Sequence, residues 1–219
     1  ITILSHFVEF CNIFLIVLVT FLTSALLVPF VTNAAKHVGA MDIPNARKAH
    51  TKPTPRMGGL AIFAAFLLGY MLFARTSMQM LAVLIGGIII VLTGVFDDIK
   101  PVPAKIKLVL QIVAACVVVF YGNIVLNHVD MLGLNLDFPV PLNYIITIIF
   151  IVGITNAINL IDGLDGLSSG VSSIYFITIS IIAFMLNKKQ GLDTILSLIM
   201  LGSTLGFLVH NFHPAKIFM

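Results

Sequence analysis

Apolar runs of bilayer length recur along this whole chain, and they restrict its fold more than any single motif does. They lie roughly at 8–30, 57–74, 79–96, 105–125, 142–160, 168–186 and 192–209. Each approaches the ~20 residues that cross a hydrocarbon core as a helix. The runs are apolar all round and lack the two-residue alternation of a barrel strand, so helices are the way to satisfy their backbone groups. Charged residues make up only 10% of the chain, against roughly 25% in a soluble domain. The expected fold is an all-α, polytopic integral-membrane helical bundle of about seven spans, with residues 1–219 forming one membrane domain. The first run has no small-residue cleavage site and is too long for a signal-peptide core, so it reads as a retained span.

The distribution of basic residues orients the bundle. With the N-terminus outside, the inner loops hold Lys36, Arg47, Lys48, Lys52, Arg56, Lys100, Lys105, Lys107 and Lys216, and the outer loops hold Arg75, Lys188 and Lys189. Nine against three favours N-out; Lys188 and Lys189 run against it. Cys11 and Cys116 lie in or beside apolar runs and read as packing residues. The outer loop 126–141 has no Lys or Arg, and its Gly133 and alternating apolar residues suggest a small surface hairpin.

The inner face collects the unusual chemistry. In "GVFDDIKPVPAK" the adjacent Asp97 and Asp98 follow an uninterrupted apolar run. Neighbouring carboxylates repel unless a cation is near, and Mg²⁺ takes one or two carboxylates together with substrate phosphates. The plainer reading is a solvated helix end with Lys100 as partner. In "NAINLIDGLDGLSSG", Asn156, Asn159, Asp162 and Asp165 recur every third residue and form a slowly drifting polar stripe. Gly163 and Gly166 favour an unwound turn at its end. Ionisable residues beside membrane spans mark functional sites by default; interhelical polar contacts are the alternative. No Lys or Arg lies between 108 and 187, so these two Asp need positive charge from a metal–phosphate site or a neighbouring basic loop.

That loop is "DIPNARKAHTKPTPRMGGL", with Arg47, Lys48, His50, Lys52 and Arg56 among stiffening prolines. Gly58 and Gly59 allow close backbone approach. Cations of this kind suit a diphosphate, or an anionic lipid surface. His210 and His213, in "HNFHPAKIFM", read as juxtamembrane polar contacts rather than ligands. Carboxylates, an Asn/Asp stripe and a rigid basic loop on one membrane face fit phosphoryl transfer, which works by positioning and charge neutralisation. A transporter would instead place acids near mid-membrane within inverted repeats, and a scaffold would need none of these motifs.

Together "RKAHTKPTPRMGG", "GVFDDIKPVPAKIKLVLQ", "NAINLIDGLDGLSSG" and "LGFLVHNFHPAKIFM" resemble the polyprenyl-phosphate N-acetylhexosamine-1-phosphate transferases, glycosyltransferase family 4. The interval between Asp98 and Asp162 is similar to the UDP-GlcNAc-using branch that starts teichoic acid and O-antigen synthesis. The phospho-MurNAc-pentapeptide transferase branch shares two of the motifs and stands as the alternative. The resemblance implies attack by undecaprenyl phosphate on the sugar-linked phosphorus of UDP-GlcNAc, with release of UMP. It implies that Asp97 and Asp98 are catalytic, and that Asp97, Asp98 and Asp162 hold Mg²⁺, with Mn²⁺ as a substitute. Asn159, Asp162 and Asp165 fall on the nucleotide side, Asp165 facing the uracil, and His50, Lys52 and Arg56 face the diphosphate or lipid phosphate. The implied partners are undecaprenyl phosphate, UDP-GlcNAc and membrane lipid, with no nucleic acid; a homodimer is compatible with it. The implied setting is a bacterial inner membrane, multi-pass, with a cytoplasmic active site. In the family the last motif leads into a further metal-binding Asp and a His-rich loop. The chain is therefore expected to be the N-terminal part of a longer enzyme and inactive alone.

Overall fold

A computed structural model describes residues 2–44, 53–131, 133–187 and 191–219. Among them lie seven α-helices: α1 (Thr2–Val38), α2 (Gly59–Phe73), α3 (Met78–Ile99), α4 (Ala104–Cys116), α5 (Leu142–Ile161), α6 (Leu167–Asn187) and α7 (Leu192–Asn211). A π-helical turn, Val117–Tyr121, continues α4. Two antiparallel pairs complete the described structure: β1 (Met41–Asp42) with β2 (Thr54–Pro55), and β3 (His128–Met131) with β4 (Leu134–Asp137). The second pair is the expected hairpin, turning at Gly133 with φ +81°.

Six helices are long and apolar enough to cross a membrane, in keeping with an all-α polytopic membrane protein. The run at 57–74 differs from a full span. It forms the 15-residue α2, about 22 Å long, short of the ~30 Å hydrocarbon core. Its first two residues, Met57 with φ +74° and Gly58, precede the helix, and Ala74 is already extended. The first helix overshoots its expected end at 30 and runs to Val38. It stops at Gly39, whose φ of +77° follows a left-handed cap, with Ala40 N–H reaching back to Ala35 O at 2.9 Å. That six-to-one bond is the Schellman pattern, and Lys36 and His37 sit in the last turn, where cations oppose the helix dipole.

The described chain falls into two compact units, Ile1–Arg75 with Ile161–Met219, and Thr76–Leu160. In the first, α7 is the central helix and packs against α1, α2 and α6. Gly202 and Gly206 lie four apart, on one helix face. They meet α1 at Val17, Thr20, Phe21 and Ser24 so closely that a Cβ on either would overlap it. Small residues at this spacing let membrane helices approach closely. The interface is also rich in hydroxyls that return to their own helix: Thr20 bonds Ile16 O at 2.8 Å and Ser203 bonds Ile199 O at 2.8 Å. Val28, Ala61, Ile62, Phe207 and Ile217 form the buried apolar cluster.

In the second unit, α3 packs on α4 and the π turn, with Gly86 against Val118 and Ala114. The N-terminal end of α5 is tied by polar groups. Thr147 Oγ1 accepts from Leu126 N–H at 2.9 Å, Asn143 Nδ2 donates to Asn127 Oδ1 at 2.8 Å, and Tyr144 stacks on Phe120 at 5.4 Å. Farther along, α5 exposes Ile145, Ile149, Phe150 and Ile154.

Candidate active-site residues

Asp97 and Asp98 occupy the last turn of α3. The helix ends because Lys100 precedes Pro101, and a residue before proline is driven to extended backbone; Lys100 has φ −144° and ψ 120°. The two carboxylates point about 100° apart, as neighbours on a helix do, and their surroundings differ. Asp97 is engaged on both oxygens. Oδ1 accepts from Val102 N–H at 2.9 Å and Oδ2 from Lys107 Nζ at 2.8 Å. A cation beside it is therefore Lys107 on α4. The Lys107 and Asp97 side chains are 34% and 26% exposed, so as an isolated pair the bridge is worth at most about 1 kcal/mol. Its larger effect is geometric: it holds Asp97 against the Val102 turn. Asp98, half-buried, lies on the adjacent face of the same turn.

Four residues beyond Lys107, Gln111 faces Asn156 on α5. Asn156 Nδ2 donates to Gln111 Oε1 at 2.7 Å and to Val152 O at 2.8 Å, and Gln111 Nε2 reaches Asn156 Oδ1 at 3.4 Å. The first member of the Asn/Asp stripe is thus spent on an interhelical contact, whereas Asn159, one turn on, is exposed.

In the first unit the stripe ends in the turn 162–166, unwound as its glycines suggested, with Gly166 at φ +70°. Asp162 is half-buried there. Asp165 Oδ2 accepts from Ala215 N–H at 3.0 Å and lies 2.9 Å from His213 Nδ1. Asn211, 2% exposed, adds a second tie: it accepts from Ser169 Oγ at 2.6 Å and donates Nδ2–H to Ile217 O at 2.9 Å. The last motif is therefore folded back onto the turn that opens α6. Its end also reaches β2, where Phe218 N–H bonds Pro55 O at 2.8 Å and Gly58 N–H bonds Phe218 O at 2.9 Å. Gly58 is required at this position, since a Cβ would overlap the Phe207 ring; Gly59 has no such crowding.

His210 has a physical cause for its place. Pro29, inside α1, has no N–H for the carbonyl four residues back, which belongs to Ala25. His210 Nε2 lies 3.0 Å from that carbonyl and supplies the missing donor. Both histidines are thus polar contacts, as the sequence suggested. Arg56 Nε stands 3.8 Å from Asp42 Oδ1, its side chain 39% exposed, and the Arg56 backbone N–H donates to Ala40 O at 3.0 Å. His50 and Lys52 lie outside the described residues, as do Arg47 and Lys48.

The donor chemistry fits a hard divalent cation, because carboxylate pairs such as Asp97–Asp98 leave positions for phosphate and water. Among the described residues, no three His, Cys, Asp or Glu side chains gather into a metal cage. Lys107, Gln111 and Asn211 were not singled out by sequence. A Lys or a lone amide in an amphipathic stretch carries no mark of its partner across the fold.

The family model of glycosyl transferase family 4 matches residues 80–219, a stretch that contains Asp97, Asp98, Asn159, Asp162, Asp165 and the last motif. The chain is 42% identical over 204 residues to a probable undecaprenyl-phosphate N-acetylglucosaminyl 1-phosphate transferase of Bacillus subtilis, covering 92% of this chain and 56% of that protein. It is 36% identical over 223 residues to a decaprenyl-phosphate N-acetylglucosaminephosphotransferase of Mycobacterium tuberculosis, covering 90% and 54%. A phospho-N-acetylmuramoyl-pentapeptide-transferase of Bacillus subtilis is 35% identical over 220 residues, covering 92% and 66%. The chain thus spans about half the length of the first two relatives.

Proposed function

The chain belongs to glycosyl transferase family 4, and we propose that the protein transfers GlcNAc-1-phosphate from UDP-GlcNAc to undecaprenyl phosphate at the cytoplasmic face of a bacterial inner membrane. The observation that carries this reading is the 42% identity, across 92% of the chain, to a relative named for that lipid and sugar. A lipid phosphate oxygen attacks the sugar-linked phosphorus, UMP leaves, and the diphospho-sugar stays in the membrane to open synthesis of a teichoic acid-type polymer. A phosphomonoester has a second pKa near 6, so much of the nucleophile is already ionised at neutral pH. Positioning therefore matters more than proton removal.

Asp98 and Asp97 are assigned to Mg²⁺ together with Asp162. When bound, the cation offsets the charge of the diphosphate. Within this scheme Lys107 and the Val102 N–H orient Asp97, and Asp98 is turned to a different face of the helix end. Asn159, Asp162 and Asp165 bind on the nucleotide side. Asp165 Oδ1, which takes no hydrogen bond from any described residue, is the atom assigned to the uracil. Arg56, with His50 and Lys52, meets the phosphates. The pentapeptide-transferase relative supports a second reading, in which the sugar is phospho-MurNAc-pentapeptide.

The test is UMP release from UDP-GlcNAc in membranes that contain the protein and undecaprenyl phosphate. Activity should vanish with EDTA and return with Mg²⁺. Asp98→Asn and Asp162→Asn should each lose more than about tenfold, equivalent to 1.4 kcal/mol of transition-state stabilisation. Smaller losses would remove those roles, and turnover of UDP-MurNAc-pentapeptide in place of UDP-GlcNAc would select the second reading.

A further inference from the structure

The polar ties of α5 fall at two levels along the helix. Its opening turns are tied through Asn143, Tyr144 and Thr147, but Ile149, Phe150, Ile154 and Leu160 are exposed. About 20 Å along the helix from Asn143, the reciprocal amide pair of Gln111 and Asn156 joins α5 to α4. The orientation of the Asn156 amide is determined by Val152 O, which requires a donor at 2.8 Å, so both protons of Nδ2 and the Oδ1 acceptor are committed. Asn156 therefore has no donor left over for a ligand. Asn159 lies three residues on, about 60° around the same side of the helix, and is exposed.

We propose that Gln111 is a positioning residue for the transfer reaction: through Asn156 it sets the rotation of α5 that presents Asn159 to the nucleotide. Gln111 also shares a face of α4 with Lys107, one turn away, which holds Asp97. One helix face therefore orients a carboxylate of α3 through a charge and an amide of α5 through a neutral pair. A neutral pair suits this depth, since it satisfies itself without a buried charge. The proposal rests on the reading given above, in which Asn159 lies on the nucleotide side.

The experiment measures steady-state kinetics in membranes for Gln111→Leu, Asn156→Leu, the two combined, and the reversed pair Gln111→Asn with Asn156→Gln. Each single change should raise KM for UDP-GlcNAc and so lower kcat/KM for it by about 10- to 100-fold, the scale of a misplaced contact, and leave KM for undecaprenyl phosphate unchanged. The double change should lose no more than either single one, and the reversed pair should recover to within about threefold. A loss confined to maximal rate with both KM values unchanged, unaltered kinetics, or no recovery in the reversed pair would overturn the proposal. Independently of activity, Gln111→Cys with Asn156→Cys, made with Cys11 and Cys116 replaced by Ser, should be joined by a short bis-maleimide. Cross-linking of this variant, together with no turnover of UDP-GlcNAc by the protein that keeps Gln111 and Asn156, would dismiss the assigned reaction and leave the contact standing; failure to cross-link would dismiss the contact and with it the proposal.

Discussion

At the scale of single residues, much of the polar chemistry in this chain repairs or restrains backbone. Pro29 leaves Ala25 O without its helical donor, and His210 fills the gap. Removing His210 should therefore cost about 1 kcal/mol, the low end of the penalty for an unpaired carbonyl, since this one is only part-buried. Pro29→Ala restores the helical N–H, so His210→Leu should cost much less in that background; equal costs in both, measured by thermal unfolding in detergent, would refute the link. His128 is a second case. It sits between Asp137 at 2.7 Å and Asp130 at 2.9 Å on the hairpin, outside the spans. Hydrogen bonding to Asp137, then to Asp130, raises its pKa above the ordinary 6.5. A raised folded pKa means that the imidazolium stabilises the hairpin fully below pH 6.5, and that this contribution fades as pH rises through the folded value. In a ring titration followed by NMR, Asp137→Asn should lower the midpoint more than Asp130→Asn does.

At the scale of elements, helix contacts depend on what is missing from side chains. Gly202 and Gly206 bring α7 against α1, and Gly58 lets the backbone before α2 lie against the Phe207 ring and Phe218 O. Overfilling a tight contact costs about 1–3 kcal/mol. Gly206→Val should reach or exceed that range and lower the thermal midpoint, whereas Gly94→Ala, at an open position on α3, should not destabilise. Equal effects at the two positions would contradict the close packing of α1 on α7. Asp165 and Asn211 act at this scale as well, since together they fold residues 211–217 onto the start of α6.

At the scale of the whole molecule, the basic residues predict a direction. Asn135 on the hairpin should lie outside the cell and Lys100 inside. Asn135→Cys should react with an impermeant maleimide in intact cells, and Lys100→Cys only after permeabilisation, with Cys11 and Cys116 replaced by Ser. The opposite pattern would invert the topology and put the acidic helix ends on the wrong side for a nucleotide-sugar.

Composition and periodicity alone determined that this chain is a bundle of apolar helices, because a bilayer leaves a backbone few other ways to satisfy its hydrogen bonds. The Asp pair, the Asn/Asp stripe and the glycine turn after it were legible for the same reason: polar groups beside spans are costly enough to stand out. The partners of those groups were decided by tertiary structure. Lys107 meets Asp97, Gln111 absorbs Asn156, His210 serves a carbonyl in α1, and the run at 57–74 stops short as α2. Each of these depends on which helix faces lie side by side, over separations of 10 to 185 residues, and local sequence carries no record of a neighbour that far away.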